Sequence, residues 1–230
     1  MTGNFNELLI SLGAKPSISE ENGLTLLREE DVMVFSPGIS SGGFAEIRMA
    51  QANPKRHIIA TTIDEKGLAF AQENIKKLNL ENQIETRLED LTTEFSYADK
   101  YFDYIYARLV LHYLSFQELD KVLSNFRRSL TKTGHLSIVV RSEKNVDRNR
   151  PDQEYDPVTR LTTVYYRDEN KNIIGSGVRY FHTPETIREH LERVGFEIDY
   201  IKEYEEQLYK DFMRTKIAPK FDHVIEIHAK

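Results

Sequence analysis

Three side chains in the second half of the sequence have the chemistry of a general acid or base: His112, His182 and Tyr180. The proton equilibrium of histidine lies nearest neutral pH, so His112 or His182 can take a proton from a hydroxyl or an amine. His112 lies in the apolar run VLHYL, where a histidine is more often a packed, hydrogen-bonded residue. Proton transfer and packing both stay open as interpretations.

A second group of residues has the spacing of a ligand-binding turn. The apolar run 32–35 is followed by Gly38, Gly42 and Gly43 before a helical pattern begins. Glycine lacks a Cβ and tolerates positive φ, so such a turn brings backbone close to a ligand, and the next helix points N–H groups at the same place. The order predicts a strand, a glycine turn and a helix, which suits a nucleotide-like cofactor or a simple chain reversal.

Alternating strands and helices surround this turn. Further strands are predicted at 57–63, 83–88, 101–107 and 135–140, and helices at 44–51, 65–78 and 116–130. Asp64 is the predicted N-cap of the second helix and Gly134 the predicted end of the third. Strands alternating with helices of this length favour parallel pairing by right-handed crossovers. We therefore expect an α/β fold with a doubly wound, mostly parallel, seven-stranded sheet and helices on both faces.

The two ends of the chain predict additions to this sheet. A helical cover is expected within 1–30, and a loop with a β-hairpin after strand five within 143–182. Thr183 and Pro184 start a helix that Gly195 ends, and the last two strands are predicted at 196–202 and 223–228. The 230 residues fit a single domain.

Ligands of doubly wound sheets bind beyond the carboxyl ends of the strands, where the strand order reverses. Four predicted segments meet at that edge: 36–42, 62–64, 90–91 and 107–109. The sequence therefore predicts one crevice lined by these segments.

The order of elements, the glycine turn, the segment FDYIYARLVLHYL and the VGF that ends at Phe196 resemble the class I S-adenosylmethionine-dependent methyltransferases. The similarity covers residues 30–141 by motif and the remainder by layout. In that family the strand-one motif reads acid-x-Gly-x-Gly-x-Gly. Here residues 36–42 read SPGISSG, with serine in place of the acid and of the second glycine, so the motif is degenerate. The resemblance implies a Rossmann-like fold and S-adenosylmethionine as cofactor.

The resemblance also implies roles for individual residues. The acid that holds the ribose falls on Thr62 when the helix segment LAFAQEN is aligned, and on Asp64 two residues further along. Asp90 with Leu91 matches the acid and apolar pair that takes the adenine. Asp103, which precedes an apolar strand, is expected to be a structural partner of a turn or helix end, not a ligand. The complete set of implied cofactor-binding residues is Ser36, Pro37, Gly38, Ser40, Gly42, Thr62, Ile63, Asp64, Asp90, Leu91, Ala107, Arg108 and Leu109.

The implied reaction is transfer of a methyl group to an oxygen or nitrogen of a small-molecule acceptor, with residues 143–182 as the acceptor cover. Alignment of the reactants and exclusion of water account for most of the rate acceleration, so a general base is optional. His112, His182 and Tyr180 are the candidates for it. One alternative is a catalytically silent or repurposed cofactor-binding protein, because two expected acids are missing. The other, a nicotinamide oxidoreductase, is disfavoured because no Tyr-x-x-x-Lys pair of the short-chain dehydrogenases occurs.

Composition excludes several other classes. The formal net charge of −6 disfavours nucleic acid as a partner. The chain has no cysteine and its 7 histidines lack zinc-site spacing, so no metal is expected. No apolar window approaches the ~18 residues that span a bilayer, and no signal-peptide pattern opens the chain, so we expect a cytoplasmic protein with no membrane partner. A homodimer stays open.

Overall fold

A computed structural model of the protein describes residues 16–39, 41–93, 95–148, 150–209, 217–218 and 220–230. The strands are β1 Met33–Pro37, β2 His57–Thr62, β3 Ile84–Leu88, β4 Phe102–Arg108, β5 Leu130–Arg141, β6 Glu154–Tyr155, β7 Thr162–Arg167, β8 Ile173–Arg179, β9 Ile198–Glu206 and β10 Asp222–Ala229. The helices are α1 Ile18–Thr25, α2 Phe44–Ala52, α3 Glu65–Lys77, α4 Phe116–Ser129 and α5 Pro184–Arg193, with 3₁₀ turns at Ser41–Gly43 and Leu111–Tyr113. Residues 1–15 of the predicted helical cover lie outside the described residues, and α1 lies within the remainder of it.

Seven strands form one sheet in the order β3-β2-β1-β4-β5-β10-β9. Strands β1 to β5 pair in parallel, and β10 runs antiparallel to both β5 and β9. The order reverses between β1 and β4, which opens the crevice expected at the carboxyl edge. Strands β6, β7 and β8 form a separate antiparallel sheet. The predicted fold class and the hairpin after strand five are confirmed.

Successive residues of the central strands face opposite layers, as the twofold repeat of a strand requires. Val34 and Tyr104 pack in the layer that includes α2 and α3, whereas Phe35 and Ile105 pack in the layer of α4 and α5. All four side chains are fully buried. Helices therefore cover both faces of the sheet, and residues at the strand ends are left for the crevice.

Local capping signals set most helix ends where the sequence predicts them. The Asp64 side chain accepts the Lys66 N–H, and Thr183 with Pro184 at the first turn starts α5. The predicted role of Gly134 was wrong, because α4 ends at Ser129 and β5 begins at once. Gly134 instead lies where the β4–β5 register shifts, and a Cβ there would stand 3.0 Å from the Phe102 carbonyl oxygen.

Asp103 ties the start of β4 to the start of β1. Its Oδ2 accepts the backbone N–H groups of Val32 and Met33 at 3.1 and 3.0 Å. Val32 and Met33 come just before the first β1 residue that pairs with β4. The carboxylate therefore bonds backbone groups that the strand pairing leaves unpaired at that end of the sheet. Asp103 therefore has a structural role, as expected, but its partner is the start of a strand and not a turn or a helix end.

A buried aromatic cluster joins the hairpin to the main sheet. The rings of Tyr180 and His182 lie 4.0 Å apart, and the ring of His190 on α5 lies 4.7 Å from Phe116. His182 is fully buried, and neither ring nitrogen has a hydrogen-bond partner among the described residues. Burial, with a smaller contribution from His190, lowers the pKa of His182 to about 3.

Replacing Asp103 by alanine is expected to lower the free energy of unfolding by about 1 to 3 kcal/mol, because two backbone donors lose their acceptor. Asp99→Ala is the matched control, since Asp99 pairs with the partly exposed Arg128 at the surface and should cost about 1 kcal/mol or less. Urea unfolding of both variants measures the difference. Equal losses in the free energy of unfolding would show that the Asp103 bonds contribute no more than a surface ion pair.

The buried His182 makes stability depend on pH. Its folded pKa is depressed, so its stabilising contribution is present above the unfolded pKa of about 6.5 and is lost as the pH falls toward 3. Between about pH 7 and pH 5, His182→Phe should therefore lose roughly 2 kcal/mol less stability than the wild type. Parallel pH curves from urea unfolding of the two proteins would contradict this.

Candidate functional site

A cavity of about 370 Å³ opens at the carboxyl edge of the sheet, where the strand order reverses. We call it the strand-end cavity. Its lining residues are Gly38, Ile39, Thr61, Thr62, Ile63, Asp64, Glu89, Asp90, Leu91, Arg108, Leu109, Val110, Tyr113 and Leu114. The cavity thus brings together segments that follow β1, β2, β3 and β4, as the sequence predicts. Of the predicted cofactor-binding residues, Ser36, Pro37, Gly42 and Ala107 are not among the lining residues, and Ser40 lies outside the described residues.

The turn after β1 needs glycine at position 38. Gly38 has φ of 73°, and its N–H and that of Ile39 both donate to the Thr61 carbonyl, at 2.7 and 2.8 Å. A Cβ on Gly38 would stand 2.6 Å from the Val110 Cβ. The glycine therefore lets the turn after β1 close against β2 and against the loop that follows β4.

Ser36 occupies the position where the family motif has an acid. Its Oγ donates to Glu46 Oε1 at 2.5 Å, and both side chains are buried. Glu46 lies on α2, ten residues later. A carboxylate is therefore present beside the end of β1, although it comes from the helix and does not line the cavity.

The two candidates for the ribose position both line the strand-end cavity. Thr62 Oγ1 accepts the Asp64 N–H at 3.1 Å, and the Asp64 Oδ1 accepts the Lys66 N–H at 3.1 Å. Asp64 thus serves as the N-cap of α3. Capping explains why an acid stands at position 64, and Thr62 remains the residue at the end of β2.

Two acids follow β3. Asp90 is exposed, and its Oδ1 accepts the N–H and the hydroxyl of Thr92, each at 2.8 Å. Glu89 also lines the cavity and accepts the Tyr97 hydroxyl at 2.7 Å. Glu89 was not among the predicted site residues, although its place at the end of a strand was a usable signal.

The segment after β4 separates the strand-end cavity from a second one. Leu109 has φ of 55°, a left-handed conformation that is uncommon for leucine, and its N–H donates to the Val139 carbonyl at 2.8 Å. Such strain concentrates at functional sites. Arg108 points its guanidinium to Ser19 Oγ at 2.7 Å and forms an ion pair with the buried Glu206.

The second cavity, of about 220 Å³, shares Arg108, Leu109 and Tyr113 with the first. We call it the arginine cavity. Its other lining residues are Ser17, His112, Arg141, Leu208 and Tyr209. Arg141 was missed by the sequence prediction, although it ends β5 at the same edge of the sheet.

The three predicted catalytic groups fall in different surroundings. His112 is 1% exposed and lines the arginine cavity, and burial, with Arg141, Arg179 and His182 nearby, lowers its pKa well below the usual range. His182 lines neither cavity and packs on Tyr180. The Tyr180 hydroxyl lies 3.3 Å from both His190 Nε2 and Arg160 Nη1, and burial raises its pKa.

The hairpin segment has a separate cavity of its own. This cavity, of about 380 Å³, includes Tyr155, Arg160 and Tyr180 in its lining. The described hairpin residues contact two residues that line the arginine cavity. The Arg179 guanidinium lies 4.2 Å from the ring centre of Tyr113, and the Tyr180 N–H donates to the His112 carbonyl.

The donor set of the strand-end cavity fits S-adenosylmethionine. Thr62, Asp64 and Asp90 offer oxygen atoms for ribose hydroxyls and an exocyclic amine, and Ile63 and Leu91 offer apolar surface for a flat ring. Ile63 is 74% exposed, as an apolar side chain at an open ligand site would be. Among the described residues no group of three His, Asp or Glu side chains could hold a metal ion, and no helix there is long and apolar enough to cross a bilayer.

Comparison with known proteins supports this interpretation. The family model described as a methyltransferase domain matches residues 36–138. A demethylmenaquinone methyltransferase from Bacteroides fragilis is 29% identical over 171 residues, which cover 73% of this chain and 64% of that protein. The chain therefore spans less than two thirds of the length of this curated relative.

Solved structures share the fold at low sequence identity. A SAM-dependent methyltransferase from Methanosarcina mazei superposes with a TM-score of 0.68 at 18% identity, covering 89% of this chain and 94% of that one. The [4+2]-cyclase SpnF superposes with a TM-score of 0.59 at 15% identity, covering 92% and 78%. The domain match and the seven-stranded sheet together show that residues 36–138 are similar to a methyltransferase domain and that the chain has the Rossmann-like fold of S-adenosylmethionine-dependent methyltransferases.

Proposed function

We propose that the chain binds S-adenosylmethionine in the strand-end cavity and transfers its methyl group to an oxygen or nitrogen of a small molecule in the arginine cavity. The observation that carries this proposal is the sharing of Arg108, Leu109 and Tyr113 by the two cavities. Ligands in the two cavities would meet across these three residues. The demethylmenaquinone methyltransferase relative supports a small-molecule acceptor.

Once bound, S-adenosylmethionine supplies an electrophilic methyl group, whose bond to sulfur breaks with its electron pair left on sulfur as the bond to the acceptor forms. The chain would position the two reactants and exclude water from them. Thr62 or Asp64 would hold the ribose, Asp90 and Leu91 the adenine, and the left-handed Leu109 would shape the passage between the cavities. Alignment of two reactants can supply roughly 7 to 11 kcal/mol of the barrier, so no strong base is needed.

The depressed pKa of His112 agrees with such a mechanism. A histidine whose pKa lies well below 6.5 is neutral at physiological pH and is a weak proton acceptor. His112 would therefore orient the acceptor through hydrogen bonds. Residues 143–182 would support the acceptor site through Arg179 and Tyr180, which contact its lining residues Tyr113 and His112. This role is more limited than the predicted cover over the acceptor.

A catalytically silent or repurposed cofactor-binding protein is the main alternative. It is favoured by the loss of the acids expected at Ser36 and Thr62, and the likeness to a [4+2]-cyclase shows that this fold accommodates other activities. A nicotinamide oxidoreductase remains the less favoured alternative. The three hypotheses predict different ligands and different products.

Titration calorimetry with S-adenosylmethionine, S-adenosylhomocysteine and NAD separates these hypotheses. We expect the two sulfur compounds to bind and NAD not to bind. Asp90→Ala should weaken binding by about 1.5 to 3 kcal/mol, because a carboxylate that accepts a bond from the adenine amine is lost. Failure of both sulfur compounds to bind would refute the proposal. Binding without methyl transfer to any phenol, quinol, carboxylate or amine in a labelled-methyl assay would favour the silent protein.

The ribose contact can be assigned with two variants that preserve local structure. Thr62→Val keeps the side-chain shape and removes the hydroxyl, and Asp64→Ser keeps an N-cap for α3 while removing the charge. If Thr62 holds the ribose, Thr62→Val should weaken S-adenosylhomocysteine binding by about 1 kcal/mol and Asp64→Ser should leave it unchanged. The reverse pattern in calorimetry would assign the ribose to Asp64.

A further inference from the structure

We propose that the methyl acceptor binds in the arginine cavity as an oxyanion, with its anionic oxygen held by Arg141 and His112. The inference rests on the proposed function, because it names the chemical class of the acceptor at that same site. A carboxylate and a phenolate share this chemistry. Three observations support it, all made within the described ranges of the chain: the charges of the lining, an arginine with no carboxylate partner, and two sets of unpaired buried polar atoms.

The lining of the arginine cavity is positively charged. It includes Arg108 and Arg141, and no Asp or Glu is present among its described lining residues. The strand-end cavity differs, because Asp64, Glu89 and Asp90 line it. A cavity with guanidinium groups and no carboxylate favours an anionic occupant over a neutral or cationic one.

Of the three guanidinium groups in or beside this cavity, two have a carboxylate partner and one has none among the described residues. Arg108 pairs with Glu206 and Arg141 with Asp222. Arg179 is buried and donates to the Tyr166 hydroxyl and the Val178 carbonyl, and within the described parts of the chain it forms no ion pair. Since its guanidinium stacks on Tyr113, a lining residue, one buried positive charge lies beside the cavity without a countercharge from the part of the chain that the structure describes. An anionic ligand would supply that countercharge.

His112 offers hydrogen bonds that the described protein does not use. Its side chain is buried, it lines the cavity, and neither ring nitrogen has a partner among the described residues. A neutral imidazole has one donor and one acceptor. His182 has unpaired nitrogens too but lines neither cavity, whereas the free nitrogens of His112 border an open space that a ligand accepting the N–H can occupy.

Arg141 has a free donor of the same kind. Its Nη1 donates to Asp222, whereas its buried Nε has no partner within the described ranges. Asp222 thus fixes one end of the guanidinium and leaves the Nε–H for a ligand. An oxygen that accepts from Arg141 and from His112 would satisfy both residues, and an anionic oxygen does so with charge-assisted bonds.

This arrangement removes the need for a general base. Positive charge lowers the pKa of a bound acid, so the acceptor would lose its proton to solvent before or during binding. The neutral His112 then stabilises the anion as a donor. A phenolate would be the nucleophile itself, and so would a carboxylate.

The test uses two probes with neutral partners of matched size, added to the protein saturated with S-adenosylhomocysteine. The phenolate arm compares 4-nitrophenol, whose anion absorbs visible light and whose neutral form does not, with 4-nitrobenzyl alcohol. The carboxylate arm compares benzoate with benzamide. We expect at least one anion to bind about tenfold or more tighter than its neutral partner, and bound 4-nitrophenol to ionise at lower pH than in solution.

Three variants assign the effect to the cavity. Arg141→Gln and His112→Phe should each weaken binding of the anion by about tenfold or more, with little change for the neutral partner. Arg188→Gln removes the same charge from an exposed position on α5 and should leave binding unchanged. His112→Phe should not lower the midpoint of thermal unfolding, because it removes unpaired polar atoms. If His112 instead stabilised the fold, its replacement would lower that midpoint.

The outcomes distinguish this inference from the proposed function. If S-adenosylhomocysteine binds but neither anion binds better than its neutral partner, the oxyanion assignment is overturned and the methyltransferase proposal stands. Anion binding that survives both Arg141→Gln and His112→Phe also overturns it, because the site then lies elsewhere. If S-adenosylhomocysteine itself does not bind, the proposed function fails, and the oxyanion assignment of the acceptor fails with it.

Discussion

The guanidinium of Arg108, whose side chain is 13% exposed, holds together three segments that are distant in the sequence. It donates to the hydroxyls of Ser17 and Ser19, and it lies 3.5 Å from the carboxylate of Glu206 at the end of β9. Glu206 in turn accepts the N–H and the hydroxyl of Ser19 at 2.9 and 2.7 Å. Removing Arg108 would leave the fully buried Glu206 charge with only the neutral donors of Ser19, at a cost of up to roughly 3 to 5 kcal/mol. Both cavities border Arg108, so their shapes depend on this ion pair.

The same residue marks a change in the sign of charge along the carboxyl edge of the sheet. On one side Asp64, Glu89 and Asp90 make the strand-end cavity acidic. On the other side Arg141, with Arg179 behind Tyr113, makes the arginine cavity basic. A positively charged sulfonium donor and an anionic acceptor would each lie on the side that attracts it, and opposite potentials orient two ligands without a dedicated contact for each atom.

The sequence best predicted those structural features that depend on residues close together in the chain. The positions of the strands along the chain, the Asp64 cap and the helix start at Thr183 follow from short patterns, because each depends on residues close together in the sequence. Gly134 failed as a helix end because the pairing of Phe102 with Leu130 extends β5 back to the end of α4. Among the described residues His112 has free nitrogens and Arg179 has no countercharge, and both features depend on contacts across the fold, so no local pattern could have predicted them.

The departure of the strand-one motif has a structural explanation in Ser36 and Glu46. The serine donates to a carboxylate that α2 supplies, and both groups are buried beneath the turn. The carboxylate therefore orders the end of β1 and leaves ligand contact to residues at other strand ends. An alignment that compares one position at a time records a lost acid, whereas the fold keeps an acid beside the end of β1 from a different element. Loss of the motif acid is for this reason weak evidence against cofactor binding, and the residues that line the cavity, Thr62, Asp64 and Asp90, carry more weight.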